Sequence, residues 1–175
     1  MTPISFSGGA VAGYVRSTCP TAGIGPGALV RTLHGNRAIE TLSPGDRILT
    51  SDGTRARLAS VSRHVAPARK LCRISPNALA AGRARTDPNP VVLSDQQHVM
   101  VDGWMARAMF GHDRALVPVS AITDGELIRH MDLDAELPLF QLHFDTPQLV
   151  RVGGLNVLSS PAHQPETETP KHPAF

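Results

Sequence analysis

The sequence of 175 residues lacks several features that define particular classes of protein. Its two cysteines, Cys19 and Cys72, are far apart and form no Cys-x-x-Cys or Cys/His spacing, which argues against a disulfide scaffold and a zinc knuckle. No apolar run approaches the roughly 20 residues of a membrane-spanning helix. The apolar stretch "AVAGYV" near the start is shorter than the core of a signal peptide. We therefore expect a soluble protein without membrane association, cytoplasmic by default unless a non-classical route exports it.

An excess of one charge is also missing. Lys and Arg number 17 against 15 Asp and Glu, a formal net charge of +2, and the charges are interspersed. No basic run predicts nucleic-acid binding, so the partner we expect, if there is one, is an unidentified protein. The eight histidines form no HxxxH or HxH pair, so no metal or cofactor is predicted. They stand at positions 34, 64, 98, 112, 130, 143, 163 and 172.

What the sequence does contain is many short strand signals separated by turns. It is 41% apolar and has 15 Gly and 15 Pro, which favours an all-β fold of short, mostly antiparallel strands and hairpins. The clearest strand, "LFQLHF", places Phe140, Leu142 and Phe144 on one face, predicted to face the core, and alternates them with Leu139, Gln141 and His143. Asp-Gly pairs at 52–53 and 102–103 predict two hairpin turns. At most one short helix is expected, over 104–111.

Composition divides the chain into three parts. Residues 1–22 are rich in Gly, Ser and Thr and show no periodicity, which predicts a flexible leader. Residues 160–175 contain four prolines and few apolar residues, which predicts a disordered tail. The ordered domain is therefore predicted at 23–159.

Four stretches in order resemble the Hint (hedgehog/intein) domain, most closely its short stand-alone bacterial type. They are "GALVRTLHGNRAIETLSPGDRILTSDG", "CRISPNAL", "LSDQQHVMVDGWMARAMFGHDRALVPVSAI" and "LFQLHFDTPQLVRVGGLNVLS". The resemblance implies a compact all-β Hint-like fold over 23–159. For active members it implies that an initial Cys attacks the preceding carbonyl to form a thioester, while a later His protonates the departing nitrogen and a late Asp assists. A thiolate, an imidazole and a carboxylate suit these three roles near neutral pH.

Two of the three roles find matching residues. His98, in "SDQQHVMV", matches the proton-donating His, although Asp95 stands where the family usually has Thr or Ser. Asp145, in "HFDTP", matches the late Asp. Alternatively, His98 is a partly buried strand histidine, and Asp145 is the first residue of a turn.

The nucleophile is the point at which the pattern breaks. The family places its Cys four residues before the Gly of a Pro-Gly pair, and here that position is Gly23. Cys19 could serve only if an insertion separates it from the first strand, and Pro20 holds it extended. Cys72 is more simply a small buried residue.

Two functions follow from these residues. The first is a Hint-fold domain degenerate for autoprocessing, which acts as a structural or partner-binding module. The alternative is a self-cleaving domain that acts by an N-to-S acyl shift at Thr18-Cys19 with His98 as proton donor. Splicing is not expected in either case, because Leu158 and Ser159 occupy the places of the terminal His-Asn pair. The sequence predicts no oligomeric state.

Overall fold

The computed structural model describes residues 22–76, 78–79 and 89–161. The predicted leader and tail, including Cys19, lie outside these residues, apart from Ala22, Ser160 and Pro161. Within the described ranges the chain forms many short strands, one α-helix and three single turns of 3-10 helix. The bounds are β1 (Leu29–Thr32), β2 (Gly35–Ala38), β3 (Arg47–Leu49), β4 (Arg55–Arg57), β5 (Ser60–Pro67), β6 (Leu71–Ile74), β7 (Val91–Ser94), β8 (His98–Asp102), α1 (Gly103–Phe110), β9 (Arg114–Pro118), β10 (Ile128–His130), β11 (Glu136–Phe144), β12 (Leu149–Val152), β13 (Leu155–Leu158) and β14 (Ser160–Pro161).

The larger sheet has eight strands in the order β4-β3-β1-β12-β13-β8-β9, with β2 paired to β1. Its strand pairs are antiparallel, as expected for strands joined by short turns. Its buried face includes Val30 and Val152, which are partners across β1 and β12 and are fully buried. The residues between the buried positions therefore point away from the core.

The smaller layer consists of two three-stranded sheets, β10-β6-β7 and β14-β11-β5. The longest ladder joins β11 to β5 and runs from the pair Glu136–Pro67 to the pair His143–Ser60. The segment around Ile24 joins the two sheets, because Ile24 bridges to Leu93 on one side and to Phe140 on the other. The fold is thus all-β and mostly antiparallel, as predicted, with β14 running parallel to β11.

The core confirms the face predicted for "LFQLHF". Phe144 and Leu142 are almost fully buried in the main cluster, and Phe140 packs against that cluster. The opposite face is also covered, because Leu139 is buried in a second cluster with Ala66 and Leu71. The strand β11 is therefore enclosed on both sides, and polar residues on its second face lie close to buried groups.

One of the two predicted hairpin turns is confirmed and the other is wrong. Gly53 adopts a φ of 84° in the turn between β3 and β4, where its N–H donates to the Thr50 carbonyl. The pair at 102–103 makes no tight turn, because Asp102 ends β8 and Gly103 begins α1. The strands β8 and β9 do pair, but the whole helix lies between them. This helix packs Ala106 into the core, so burial overrides the local turn preference.

The helix itself agrees with the prediction to within one residue at each end. It ends at Phe110 and is capped by Gly111, which has a left-handed φ of 73° and whose N–H donates to the Arg107 carbonyl. Among the described residues, no helix combines the length and apolar character needed to cross a membrane.

Candidate functional site

The segment from Gly23 to Gly25 lies between β7 and β11 as a strand-like bridge. Ile24 exchanges two main-chain hydrogen bonds of 2.8 Å with Phe140. On the other side, the Gly25 N–H donates to the Val92 carbonyl at 2.7 Å, and the Ser94 N–H donates to the Gly23 carbonyl at 2.9 Å. Position 23 is therefore fixed within a sheet.

Both glycines of this segment are required by close packing. A Cβ atom on Gly23 would lie 2.9 Å from Leu139 Cβ and 3.3 Å from His64 Cε1. A Cβ atom on Gly25 would lie 2.7 Å from Val92 Cβ. Because real Cβ atoms do not approach other atoms this closely, a side chain at position 23 would displace its neighbours.

A short polar network holds the peptide that joins Ala22 to Gly23. Gln141 Nε2 donates to the Ala22 carbonyl at 2.6 Å. The Ser62 hydroxyl lies 3.4 Å from Gln141 Oε1 and 2.7 Å from His143 Nε2. Ser62 and Gln141 are direct partners across β5 and β11, so the sheet register brings these groups together. The carbonyl preceding Gly23 is thus held by an amide side chain.

Among the described histidines, His64 lies closest to position 23. It lies on β5 opposite Leu139, and its Nε2 atom is buried and has no hydrogen-bond partner in the described part of the chain. Burial lowers the pKa of His64 from its ordinary value of 6.5. The imidazole is therefore held in its neutral form, because protonation would leave a buried charged donor without an acceptor.

His98 begins β8 and is half-buried. Burial lowers the pKa of His98, and a hydrogen bond with the main chain of Gln96 acts in the opposite direction. The turn that leads to His98 starts at Ser94, whose N–H binds the Gly23 carbonyl. The imidazole is thus mainly neutral near pH 7, a form that can accept a proton more readily than donate one.

Asp145 occupies an exposed position immediately after β11. The residue of β11 that contacts Ala22 is Gln141, four positions earlier, which corresponds to roughly 13 Å along an extended strand. Sequence reasoning missed Gln141, Ser62 and His64 as members of the site. The available signal was the alternation of "LFQLHF", which places Gln141 and His143 on one face.

Asp95, at the start of the turn that leads to His98, is buried. Its carboxylate points toward His130, with Oδ2 lying 3.7 Å from Nε2 of that imidazole. Its main chain is held on both sides, since its N–H donates to the Lys70 carbonyl and its carbonyl accepts from the Ser120 N–H. Asp95 is therefore engaged by residues other than Ala22 and Gly23.

Cys72 is the cysteine that lies within the described residues, and it is fully buried. Burial, and next the negative charge of Asp95, raise the pKa of the Cys72 thiol to about 11. This thiol is protonated at neutral pH and is a poor nucleophile.

The C-terminal end of the site is held by hydrogen bonds. The Leu158 carbonyl accepts from Gln97 Nε2 at 2.7 Å, and Ser159 exchanges main-chain and hydroxyl hydrogen bonds with Gln148. β14 then pairs with β11 at His143 and Phe144. It lies on the edge of β11 opposite β5, and Ile24 pairs with the same edge at Phe140. The entry and the exit of the domain therefore lie side by side.

The structure brings Gly23 together with Gln141 and His64, and it does not bring Asp145 to them. Cys19 lies outside the described residues. In the described ranges, no group of three or more His, Cys, Asp and Glu side chains could hold a metal ion. The arrangement can orient a peptide carbonyl, but position 23 offers no attacking group.

Comparison with known proteins agrees with this architecture. The family model described as "Hint domain" matches residues 23–160. The crystal structure of the MchDnaB-1 intein is similar over 78% of this chain and 99% of that chain, with 13% identity and a TM-score of 0.51. The solution structure of a bacterial intein-like domain from Clostridium thermocellum covers 80% of this chain and 98% of that chain, with 14% identity and a TM-score of 0.46. No curated protein matches the sequence.

Proposed function

Because this chain belongs to the Hint-domain family, we propose that it is a Hint domain that has lost autoprocessing and acts as a structural or partner-binding module. The observation that carries the proposal is the packing at Gly23. An acyl shift needs a thiol or hydroxyl on the residue whose own nitrogen belongs to the scissile amide, because only that residue attacks the adjoining carbonyl through a five-membered ring. Glycine supplies no such group, and Leu139 and His64 fill the space beside it.

The polar groups around Ala22 hold the segment beside Gly23 in place. The carbonyl that a nucleophile would attack accepts a hydrogen bond from Gln141, and the next carbonyl accepts one from Ser94. A neutral amide side chain binds a carbonyl but transfers no proton near neutral pH. These contacts stabilise the segment in the sheet, which is the role of a structural network.

The alternative is cleavage at Thr18-Cys19 through a thioester, with His98 as proton donor. Cys19 is three residues from Ala22, so an extended chain allows its sulfur a reach of about 10 Å from the anchored peptide. The half-buried position of His98 and its lowered pKa would suit a group that first accepts a proton and then donates it. This alternative needs no splicing step.

The intact mass of the purified full-length chain separates the two functions. We expect the mass to stay unchanged during incubation with a strong thiol or with hydroxylamine, which would cleave a thioester. The variants Cys19→Ala and His98→Ala should behave in the same way. A fragment that begins at Cys19, appears on thiol treatment and is absent from Cys19→Ala would overturn the proposal in favour of self-cleavage.

A further inference from the structure

The outer face of the larger sheet collects arginines that are far apart in the sequence. We call this surface the arginine face and define it by residues on four strands, β1, β3, β4 and β12. They are Arg31, Arg47, Arg55, Arg57 and Arg151, all exposed. The four strands are consecutive in the sheet, in the order β4-β3-β1-β12.

The alternation of each strand explains why these side chains share one face. Arg31 lies between the buried residues Val30 and Thr32, and Arg151 lies between Val150 and Val152, which are also buried. Arg47 precedes the fully buried Ile48. Ile48 pairs with Ala56, so the residues on either side of Ala56 in β4 project outward as well.

The strand register places like charges next to each other. Arg47 and Arg57 are direct partners across β3 and β4. Val30 and Val152 are partners across β1 and β12. Arg31 follows Val30 and Arg151 precedes Val152, so in this antiparallel pair the two arginines lie next to each other. Like charges at such positions are destabilising. None of these arginines forms a salt bridge with an acidic residue in the described part of the chain.

Between the arginines the face is apolar. Leu33 is 39% exposed, and Leu29, Leu49 and Leu149 are half-buried on the same side of their strands. The described aromatic residues lie on other elements: Trp104 and Phe110 on α1, Phe140 and Phe144 on β11. The face therefore combines unpaired positive charge with aliphatic surface, and none of the described aromatic residues lies on it.

We propose that the arginine face binds an acidic segment of another polypeptide in which Asp or Glu residues are interspersed with apolar ones. This inference depends on the proposed function in one respect, namely that the domain acts as a binding module. Guanidinium groups bind carboxylates through paired hydrogen bonds, and such a segment would also relieve the repulsion between neighbouring arginines. The leucines would contact its apolar side chains.

A nucleic acid suits the same surface less well. Single-stranded nucleic acids are bound by aromatic side chains on which bases stack, and no aromatic residue of the described ranges lies on the arginine face. The net charge of the chain is only +2, which gives little long-range attraction for a phosphate backbone. The leucines, in contrast, match a peptide rather than a row of phosphates.

The test measures binding of the full-length protein to a glutamate-rich peptide with interspersed leucines, and to a single-stranded oligonucleotide of the same length. We expect the peptide to bind more tightly than the oligonucleotide. The double variant Arg47→Ala/Arg57→Ala should weaken peptide binding about tenfold or more. The matched control Arg63→Ala/Arg129→Ala removes the same charge from exposed positions on β5 and β10, and it should change affinity by less than about twofold.

Three outcomes would overturn the proposal. The first is no peptide binding, and the second is an equal loss of peptide affinity in both double variants. The third is that the oligonucleotide binds more tightly than the peptide and that Arg47→Ala/Arg57→Ala abolishes this binding. If a variant does not fold, protection of the arginines from phenylglyoxal by the peptide is measured on the unsubstituted chain, and unprotected arginines at 47 and 57 count against the proposal. Binding and cleavage are read separately. A chain that stays intact and does not bind contradicts this inference alone, and a chain that cleaves but binds contradicts the proposed function alone.

Discussion

The segment around Gly23 and the arginine face differ in whether their polar groups have partners within the protein. At Gly23 the main-chain carbonyls are paired, the space is filled, and the nearest imidazole is kept neutral by burial. On the arginine face the charged groups are exposed and stand beside one another without acidic partners among the described residues. A region whose polar groups satisfy each other stabilises the fold, whereas a region with unpaired charge is free to bind. The Gly23 segment is thus suited to a structural role, and the surface suited to binding lies elsewhere.

The largest effect should come from the buried core that supports the Gly23 segment. Phe144→Ala is expected to lower the free energy of unfolding by about 3–5 kcal/mol, because the ring is 1% exposed. The control is Leu33→Ala on the arginine face, where we expect a change within about 0.5 kcal/mol. Urea denaturation measures both. A loss below about 1 kcal/mol for Phe144→Ala would show that the face of β11 is not packed as described.

A side chain at position 23 should cost less than a core cavity but more than a surface change. Gly23→Cys is expected to lower the free energy of unfolding by about 1–3 kcal/mol, because its Cβ atom would crowd Leu139 and His64. The cost should be smaller when the substitution is made in a Leu139→Gly background, which removes the Cβ atom that would lie 2.9 Å away. Equal costs in the two backgrounds would contradict the crowding, and denaturation of the four chains in this cycle gives the answer.

The imidazoles of His64 and His98 predict how stability depends on pH. The pKa values of His64 and His98 are lowered by burial, so the unfolded chain binds protons more readily than the folded one. Their contribution is fully present above the unfolded pKa of 6.5 and is lost as the pH falls from there through the lowered folded values. Denaturation curves from about pH 8 to about pH 5 should show this loss. The loss of stability should become smaller in His64→Gln or His98→Gln. It should stay unchanged in His112→Gln, a substitution at an exposed position. An equal loss in the unsubstituted protein and in all three variants would show that His64 and His98 do not cause it.

The smallest effect, and one of opposite sign, is expected on the arginine face. Arg47→Glu should raise the free energy of unfolding by about 0.2–1 kcal/mol, because it replaces repulsion with attraction opposite Arg57. Arg63→Glu is the control, since its cross-strand partner is Phe140. A stability gain that disappears at high salt would confirm the electrostatic cause, and destabilisation by Arg47→Glu would contradict it.

Local patterns allowed much of the fold to be predicted. Strict alternation in "LFQLHF" identified the core-facing side of β11, and the Asp-Gly pair at 52–53 marked a true turn. The pair at 102–103 misled because turn preference is local, whereas the helix that follows is stabilised by burial of Ala106. Local pattern also could not predict that the second face of β11 is buried, because the residues that pack against it belong to strands distant in the sequence.

The candidate site was predicted less completely, for a related reason. Gly23 was identified from spacing along the chain, but the crowding around it depends on Leu139 and His64, which the β5–β11 register brings there. Asp145 was predicted because it matches the late Asp that the resemblance implies, and whether it takes part in chemistry stays a prediction. Contact with Ala22 depends instead on strand position, which selects Gln141. The arginine face could not be predicted from the sequence, because its residues are far apart in the chain and come together only through strand pairing.

The meeting of both ends of the domain on one edge of β11 has a topological consequence. Ile24 pairs at Phe140 and Ser160 at His143, three residues apart and therefore separated by roughly 10 Å along the strand. A domain with this geometry can be grafted into a surface loop of a host protein without forcing apart the two sides of that loop. For the same reason, a short linker could join its ends and new termini could be opened at an exposed turn, such as the one at Gly53, giving a circular permutant with the same sheet.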